Sequence, residues 1–145
     1  MIPQNIKDMC IDECKSYKLT KSDERVKELG EVFTPTELIL EIFDQFDGSV
    51  WEDGKTFLDP TCGNGQFLAA ALIVKIALGH TNTISTIYGV DIMQDNIDEC
   101  KQRLLSIVGD TVDNRRIIGA HILCKDGLTY DYSFEDAPTE TLFAW

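Results

Sequence analysis

Basic residues are scarce in this chain: 13 Lys and Arg stand against 25 Asp and Glu, a formal charge of −12 at pH 7. A protein that grips duplex DNA unaided needs Lys and Arg clustered against the phosphates. Here the densest basic group lies within Lys15 to Lys27, the other basic residues are scattered, and Asp131 to Glu140 is acidic. DNA is therefore expected to bind only weakly, or through a partner that supplies the basic surface. Long apolar runs are also missing. No stretch approaches a membrane span, and Met1 to Leu19 lacks the apolar centre of a secretion signal, so no membrane association is expected. Disulfide-framework spacing is absent from the five cysteines, which points to a reducing, cytoplasmic compartment. Only His80 and His121 could join Cys10 and Cys14 around a zinc, so no metal site is expected, and the thiols read as core or surface residues. What remains is ordinary for a globular protein: 145 residues, 43% hydrophobic and 26% charged, enough for one domain. A chain of this size buries roughly 70% of its unfolded surface.

The most informative stretch is Asp59-Pro60-Thr61-Cys62-Gly63-Asn64-Gly65-Gln66-Phe67-Leu68. It follows the short apolar run Thr56 to Leu58 and precedes a long apolar run, Phe67 to Leu78. Strand, glycine-rich turn and helix N-terminus in that order form a nucleotide-binding corner, where glycines let the backbone come close to a ligand. The third glycine of the dinucleotide fingerprint is missing, and no Lys-Ser or Lys-Thr follows. Dinucleotides and nucleoside triphosphates are thereby disfavoured.

Asp-Pro-x-Cys-Gly-x-Gly-x-Phe-Leu resembles the S-adenosylmethionine loop of adenine-N6 DNA methyltransferases, the group that includes type I and type II restriction-modification enzymes. Three further segments fall in the matching order. Upstream, Gly30-Glu31-Val32-Phe33-Thr34-Pro35 resembles the Gly-x-Phe-Thr-Pro segment that precedes the loop. Downstream, Ile87-Tyr88-Gly89-Val90-Asp91-Ile92 reads as a second strand ending in an acid, and Ala120 to Cys124 as a third strand before Lys125-Asp126-Gly127-Leu128. The resemblance covers residues 30 to 128. It implies a Rossmann-like class I methyltransferase fold, with residues 1–29 as an N-terminal helical segment and 30–145 as an incomplete S-adenosylmethionine-binding domain.

Periodicity gives the elements. Residues 4 to 17 suit a short helix, and Thr20 to Leu29 a second helix or a linker. Thr34-Pro35-Thr36-Glu37 reads as a helix start, with Thr34 as cap, Pro35 in the first position and Glu37 completing a capping box. Leu38, Ile39, Ile42, Phe43 and Phe46 then form the expected buried stripe. Strand one is expected over 56–58, a helix over 66–78, strand two over 86–90, a helix over 94–108, and strand three over 117–124. Leu142 to Trp145 is a candidate fourth strand. Trp51 and Trp145 read as packing residues. Strands alternating with helices imply a parallel, doubly wound sheet with its ligand at the carboxyl ends.

Each expected strand end carries an acid. Asp59 is an anchor for the amino acid portion of the cofactor, or a turn aspartate. Asp91 is placed to accept ribose hydroxyls, as acids do in dinucleotide folds, or is a plain surface residue. Asp126 can accept from the adenine amino group with Gly127 and Leu128 packing against the ring, or be the turn former of Lys-Asp-Gly; Ile92, after Asp91, is a further cofactor-binding candidate. By resemblance, Phe33, Thr34 and Pro35 fold over the methionine end, and Pro60, Thr61, Cys62, Gly63, Gly65 and Phe67 complete the loop.

Adenine-N6 methyltransferases also carry an Asn/Asp-Pro-Pro-aromatic motif, which aligns the target amino group with the methyl and stacks on the flipped base. This chain contains no Pro-Pro. The expectation is a fold truncated after about strand four, with no catalytic residues of its own and methyl transfer dependent on a partner or on missing sequence. A homodimer or a protein partner is expected over the C-terminal sheet edge. The alternatives are an inactive, methyltransferase-like binding or regulatory protein that sequesters cofactor or interferes with restriction-modification, and an interaction scaffold with an empty pocket.

Overall fold

The computed structural model describes residues 1–17, 22 and 33–134. Among them, helices α1 (Gln4–Cys14) and α2 (Thr36–Asp44) precede a sheet of three parallel strands. Strand β1 (Phe57–Asp59) is followed by α3 (Gln66–Ala77) and β2 (Ile87–Asp91). Helices α4 (Gln94–Val108) and α5 (Val112–His121) then lead into β3 (Ile122–Cys124). The strand order is β1-β2-β3, with Asp59 opposite Gly89 and Asp91 opposite Cys124. Adjacent parallel strands need a helical crossover between them, and α3 and the α4–α5 pair provide it. The loops after β1, β2 and β3 therefore emerge side by side at one end of the sheet.

Helix α3 is the centre of the core. Every residue from Leu68 to Val74 is buried, because α1, α2, α4, β1 and β2 surround the helix. A helix apolar all round is stable only when enclosed in this way. Lys75 is buried beside them and donates to the Lys55 carbonyl at 2.5 Å; burial pulls its pKa below the usual lysine value. Helix α4 presents Ile97, Cys100, Leu104 and Leu105 to the core and ends at Gly109, whose φ of 100° breaks the helical run. Phe43 on α2 gathers Trp51, Phe57 and Phe67 around its ring, with centroids 5.1, 5.8 and 6.1 Å away.

Several expectations change on folding. The first helix stops at Cys14, three residues short of the expected end. At the start of α2 the capping residue is Pro35, and neither a Thr34 cap nor a Glu37 capping box forms. The buried face of α2 is Thr36, Ile39, Leu40 and Phe43, a true helical spacing, while Leu38 and Phe46 lie 47% and 39% exposed. The largest correction concerns strand three. Residues 117–121 belong to α5, and only Ile122–Cys124 is strand. Thr111 caps α5 by accepting from the Asn114 N–H at 3.1 Å, so the helix begins early and runs into the apolar stretch. An apolar run alone does not distinguish buried helix from buried strand. Ser22 apart, the candidate helix or linker at 20–29 falls outside the described residues, as does the candidate strand at 142–145.

Among the described residues no helix is long and apolar enough to cross a membrane, and no cluster of His, Cys, Asp or Glu is placed to hold a metal ion. All five cysteines are free thiols. Cys10 and Cys14 are both buried, and burial together with the Glu13 charge pushes the Cys10 thiol up to about 12.

Candidate functional site

The corner after β1 is built by hydrogen bonds that follow directly from its residue types. Asp59 Oδ1 accepts from the Thr61 N–H at 3.0 Å, an aspartate turn that bends the chain out of the strand. The Cys62 N–H donates to the Val90 carbonyl at 2.8 Å, fastening the loop to the end of β2. The Gly65 N–H then donates to the Cys62 carbonyl at 2.9 Å, and Gly65 caps α3 with φ 94°. Gly63 has φ 54°, and a Cβ there would stand 2.8 Å from Phe33 Cε1. The Phe33 ring thus lies directly on the glycine loop, and a side chain at position 63 would displace it. First-turn N–H groups of α3, which have no intrahelical partner, complete the corner.

Strand β2 contributes Asp91, whose carboxylate is largely occupied by its own chain. Oδ1 accepts from the Gly63 N–H at 3.2 Å, while Oδ2 accepts from the Met93 N–H at 3.0 Å and Asn96 Nδ2 at 3.1 Å. A carboxylate offers about four acceptor positions. Three are in use, leaving room for one further donor without rearrangement. The Asp59 carboxyl behaves differently. Burial pushes its pKa up and the Asp91 charge adds to this, against the stabilising Thr61 N–H and hydroxyl.

Strand β3 leads into Asp126, which uses Oδ1 to accept from the Leu128 N–H at 2.9 Å, and its carbonyl to accept from Thr129 and Tyr130. Asp126 is therefore a turn former here, with its second carboxylate oxygen accepting nothing among the described residues. Gly127 comes so close to the first loop that a Cβ would lie 2.5 Å from the Pro60 carbonyl oxygen. The loops of β1 and β3 are thereby in backbone contact. Ile92 and Leu128, 65% and 96% exposed, project apolar side chains from the ends of neighbouring strands.

A family model described as N-6 DNA methylase matches residues 16–138, most of the chain. The chain belongs to the N-6 DNA methylase family. No curated protein and no solved structure matches it. Members of this family generally use S-adenosylmethionine. Within this methylase-family chain, Phe33, Pro60 to Gly65, Asp91 and Gly127 meet at one corner, with Ile92, Asp126 and Leu128 on the adjoining loops. Phe67 does not join them: its ring packs against Phe43 in the core. Thr34 meets the site through its carbonyl, which accepts from Gln66 Nε2 at 2.6 Å.

Other polar residues of the site were invisible to motif reading. Asn64 Nδ2 donates to Glu99 Oε1 at 2.9 Å, tying the loop to α4, and Asn96 supports Asp91. The buried Cys62 thiol donates to the Gly63 carbonyl at 3.7 Å, and the neighbouring Cys100 thiol and burial push its pKa up. Arg103 falls at helical spacing between Cys100 and Leu104, so a charge on the buried stripe of α4 was the one available signal.

Proposed function

We propose that this chain binds S-adenosylmethionine across the carboxyl ends of β1, β2 and β3, as the cofactor-binding part of an adenine-N6 DNA methyltransferase with a Rossmann-like class I fold. The observation that carries the reading is the meeting of Phe33, the Asp59–Gly65 loop, Asp91 and Gly127 at one corner of a family member. The residues suit the group. A raised Asp59 carboxyl is complemented by a ligand cation, and the cofactor brings an ammonium and a sulfonium. Phe33, Thr34 and Pro35 cover the methionine end beside the loop backbone of Thr61 to Gly65. Asp91 takes a ribose hydroxyl in its remaining acceptor position, so one hydroxyl rather than both is accommodated unless Met93 or Asn96 gives way. Ile92 and Leu128 flank the adenine ring, and the second oxygen of Asp126 receives its amino group. When bound, the cofactor supplies an electrophilic methyl group.

Cofactor binding and methyl transfer separate in this chain. Its 145 residues contain no Pro-Pro, so nothing here orients a target nitrogen, and alignment is worth several kcal/mol, on the order of 7–11 in favourable cases. Catalysis is assigned to a partner chain or to further sequence that carries the motif. The charge of −12 leaves DNA contact to the same source. The missing motif equally favours a second reading, an inactive cofactor-binding regulator. Of the N-terminal segment 1–29, α1 packs against α3 and shares the core of the proposed binding domain of 30–145.

Calorimetric titration with S-adenosylmethionine tests the first claim. A saturable single-site isotherm is expected; absence of heat from a chain shown folded by circular dichroism overturns it. Tritiated methyl transfer into unmethylated genomic DNA tests the second, and counts above a no-protein control would refute it.

A further inference from the structure

We infer that Gln66 is a positioning residue for the cofactor site: it ties the Phe33–Pro35 segment to the start of α3, and Arg103 with Glu13 fixes its orientation. The inference rests on the cofactor reading above for its functional consequence. Gln66 is the first residue of α3, directly after Gly65, and is 4% exposed. Its Nε2 donates to the Thr34 carbonyl, 32 residues earlier, at 2.6 Å. Its Oε1 accepts from Arg103 Nη1 at 2.7 Å and from the Cys14 thiol at 3.4 Å. A guanidinium only donates, so it must face Oε1, and this alone turns Nε2 toward Thr34.

Arg103 is itself immobilised. It is 1% exposed, its Nε lies 2.7 and 2.8 Å from the two Glu13 oxygens, and its guanidinium stacks 4.3 Å from the Tyr17 ring centre. Burial opposes its charge, yet the hydrogen bond and charge of Glu13 prevail and keep it firmly cationic. The chain Glu13–Arg103–Gln66–Thr34 therefore joins α1, α4 and α3 to the segment lying on the glycine loop. The same segment also rests on the glycine loop through the Phe33 ring at Gly63 and joins α2 through the Pro35 carbonyl, which accepts from the Ile39 N–H at 3.1 Å, while the Thr34 side chain caps nothing in α2. The tether reaches only one end of the site. Ile92 and Asp126 to Leu128, at the adenine end, make no described hydrogen bond to Gln66.

A Gln66→Glu chain separates positioning from folding. The new carboxylate still receives Arg103 but can no longer donate to the Thr34 carbonyl. Calorimetry with S-adenosylmethionine and with 5′-methylthioadenosine, which lacks the amino acid portion, is run on the intact chain beside hydrogen exchange of peptides covering residues 33–39 and 68–76. Affinity for S-adenosylmethionine is expected to fall about ten-fold and that for methylthioadenosine to stay within about two-fold, the worth of roughly one hydrogen bond. Exchange in 33–39 should quicken while 68–76 is unchanged. Arg103→Lys, which loses the fork that orients Gln66, should act in the same direction and serves if Gln66→Glu fails to fold. Unchanged exchange over 33–39 in the folded variants, or equal loss for both ligands, overturns the tether. If the unaltered chain binds neither ligand, the cofactor reading falls, and the exchange result alone decides the tether.

Discussion

Asp59 and Asp91 stand within one corner and are held in opposite ways. Asp91 has three internal donors, whereas Asp59 has its pKa raised by burial, with the charge of Asp91 adding to it. A carboxyl whose folded pKa exceeds its unfolded value is penalised in its ionised form; the penalty grows as pH rises above the unfolded value and is relieved as pH falls through the folded value. Asp59→Asn keeps an oxygen for the Thr61 N–H and removes that penalty. The variant is expected to melt higher than the parent at neutral pH, with the gap closing as pH falls, while its affinity for S-adenosylmethionine drops. A lower melting temperature at neutral pH would contradict this. Asp91→Asn should do the reverse. An amide cannot satisfy donors on both oxygens, so stability should fall by about 1–3 kcal/mol in denaturant titration, together with cofactor affinity. Unchanged stability would mean that the three bonds contribute nothing.

Elements owe their stability to unequal sources. Helix α3 is held by burial on every side, so Leu72→Ala should cost about 2–5 kcal/mol, the range for emptying a closed core site. Helix α5 depends far more on local chemistry. Only Ile118 and Ala120 are buried in it, while Thr111 caps its first turn. Thr111→Ala should cost about 1 kcal/mol and weaken α5 with little effect on α3. Chemical denaturation of both variants, read by fluorescence and by hydrogen exchange along α5, checks the contrast. Equal losses from the two changes would show that α5 is held mainly by packing.

At the scale of the molecule, the sheet is narrow, and among the described residues both outer strands, β1 and β3, pair on one side only. Strand β1 pairs with β2 and with no other strand among the described residues, and Leu58 on it is 45% exposed. An edge strand with unpaired amides and apolar side chains invites another strand. Light scattering of the chain is expected to give a dimer, or a monomer that becomes a stable complex when a chain bearing the Pro-Pro motif is added. A monomer that recruits no such chain argues against assembly through this edge.

Much of this was legible in the residues themselves. The glycine corner, the succession β1, α3, β2, α4 and β3 without α5, and the acids at the strand ends are local patterns, set by backbone freedom, periodicity and turn chemistry. Helix α4 could be placed to its last residue because Gly109 ends an unbroken apolar spacing. Where two elements share one apolar run, the sequence could not divide them: residues 117–124 satisfy both helix and strand until the Thr111 cap and the packing of Ile118 decide. The polar interior was hidden for a different reason. Gln66, Arg103 and Glu13 lie far apart in sequence and look like surface residues. Their roles arise only when three helices bring donors and acceptors together out of water, where each buried polar group must find a partner. Asp91 shows the same limit at the site: the sequence set an acid at the end of β2, but only folding determined that its own loop would occupy most of it.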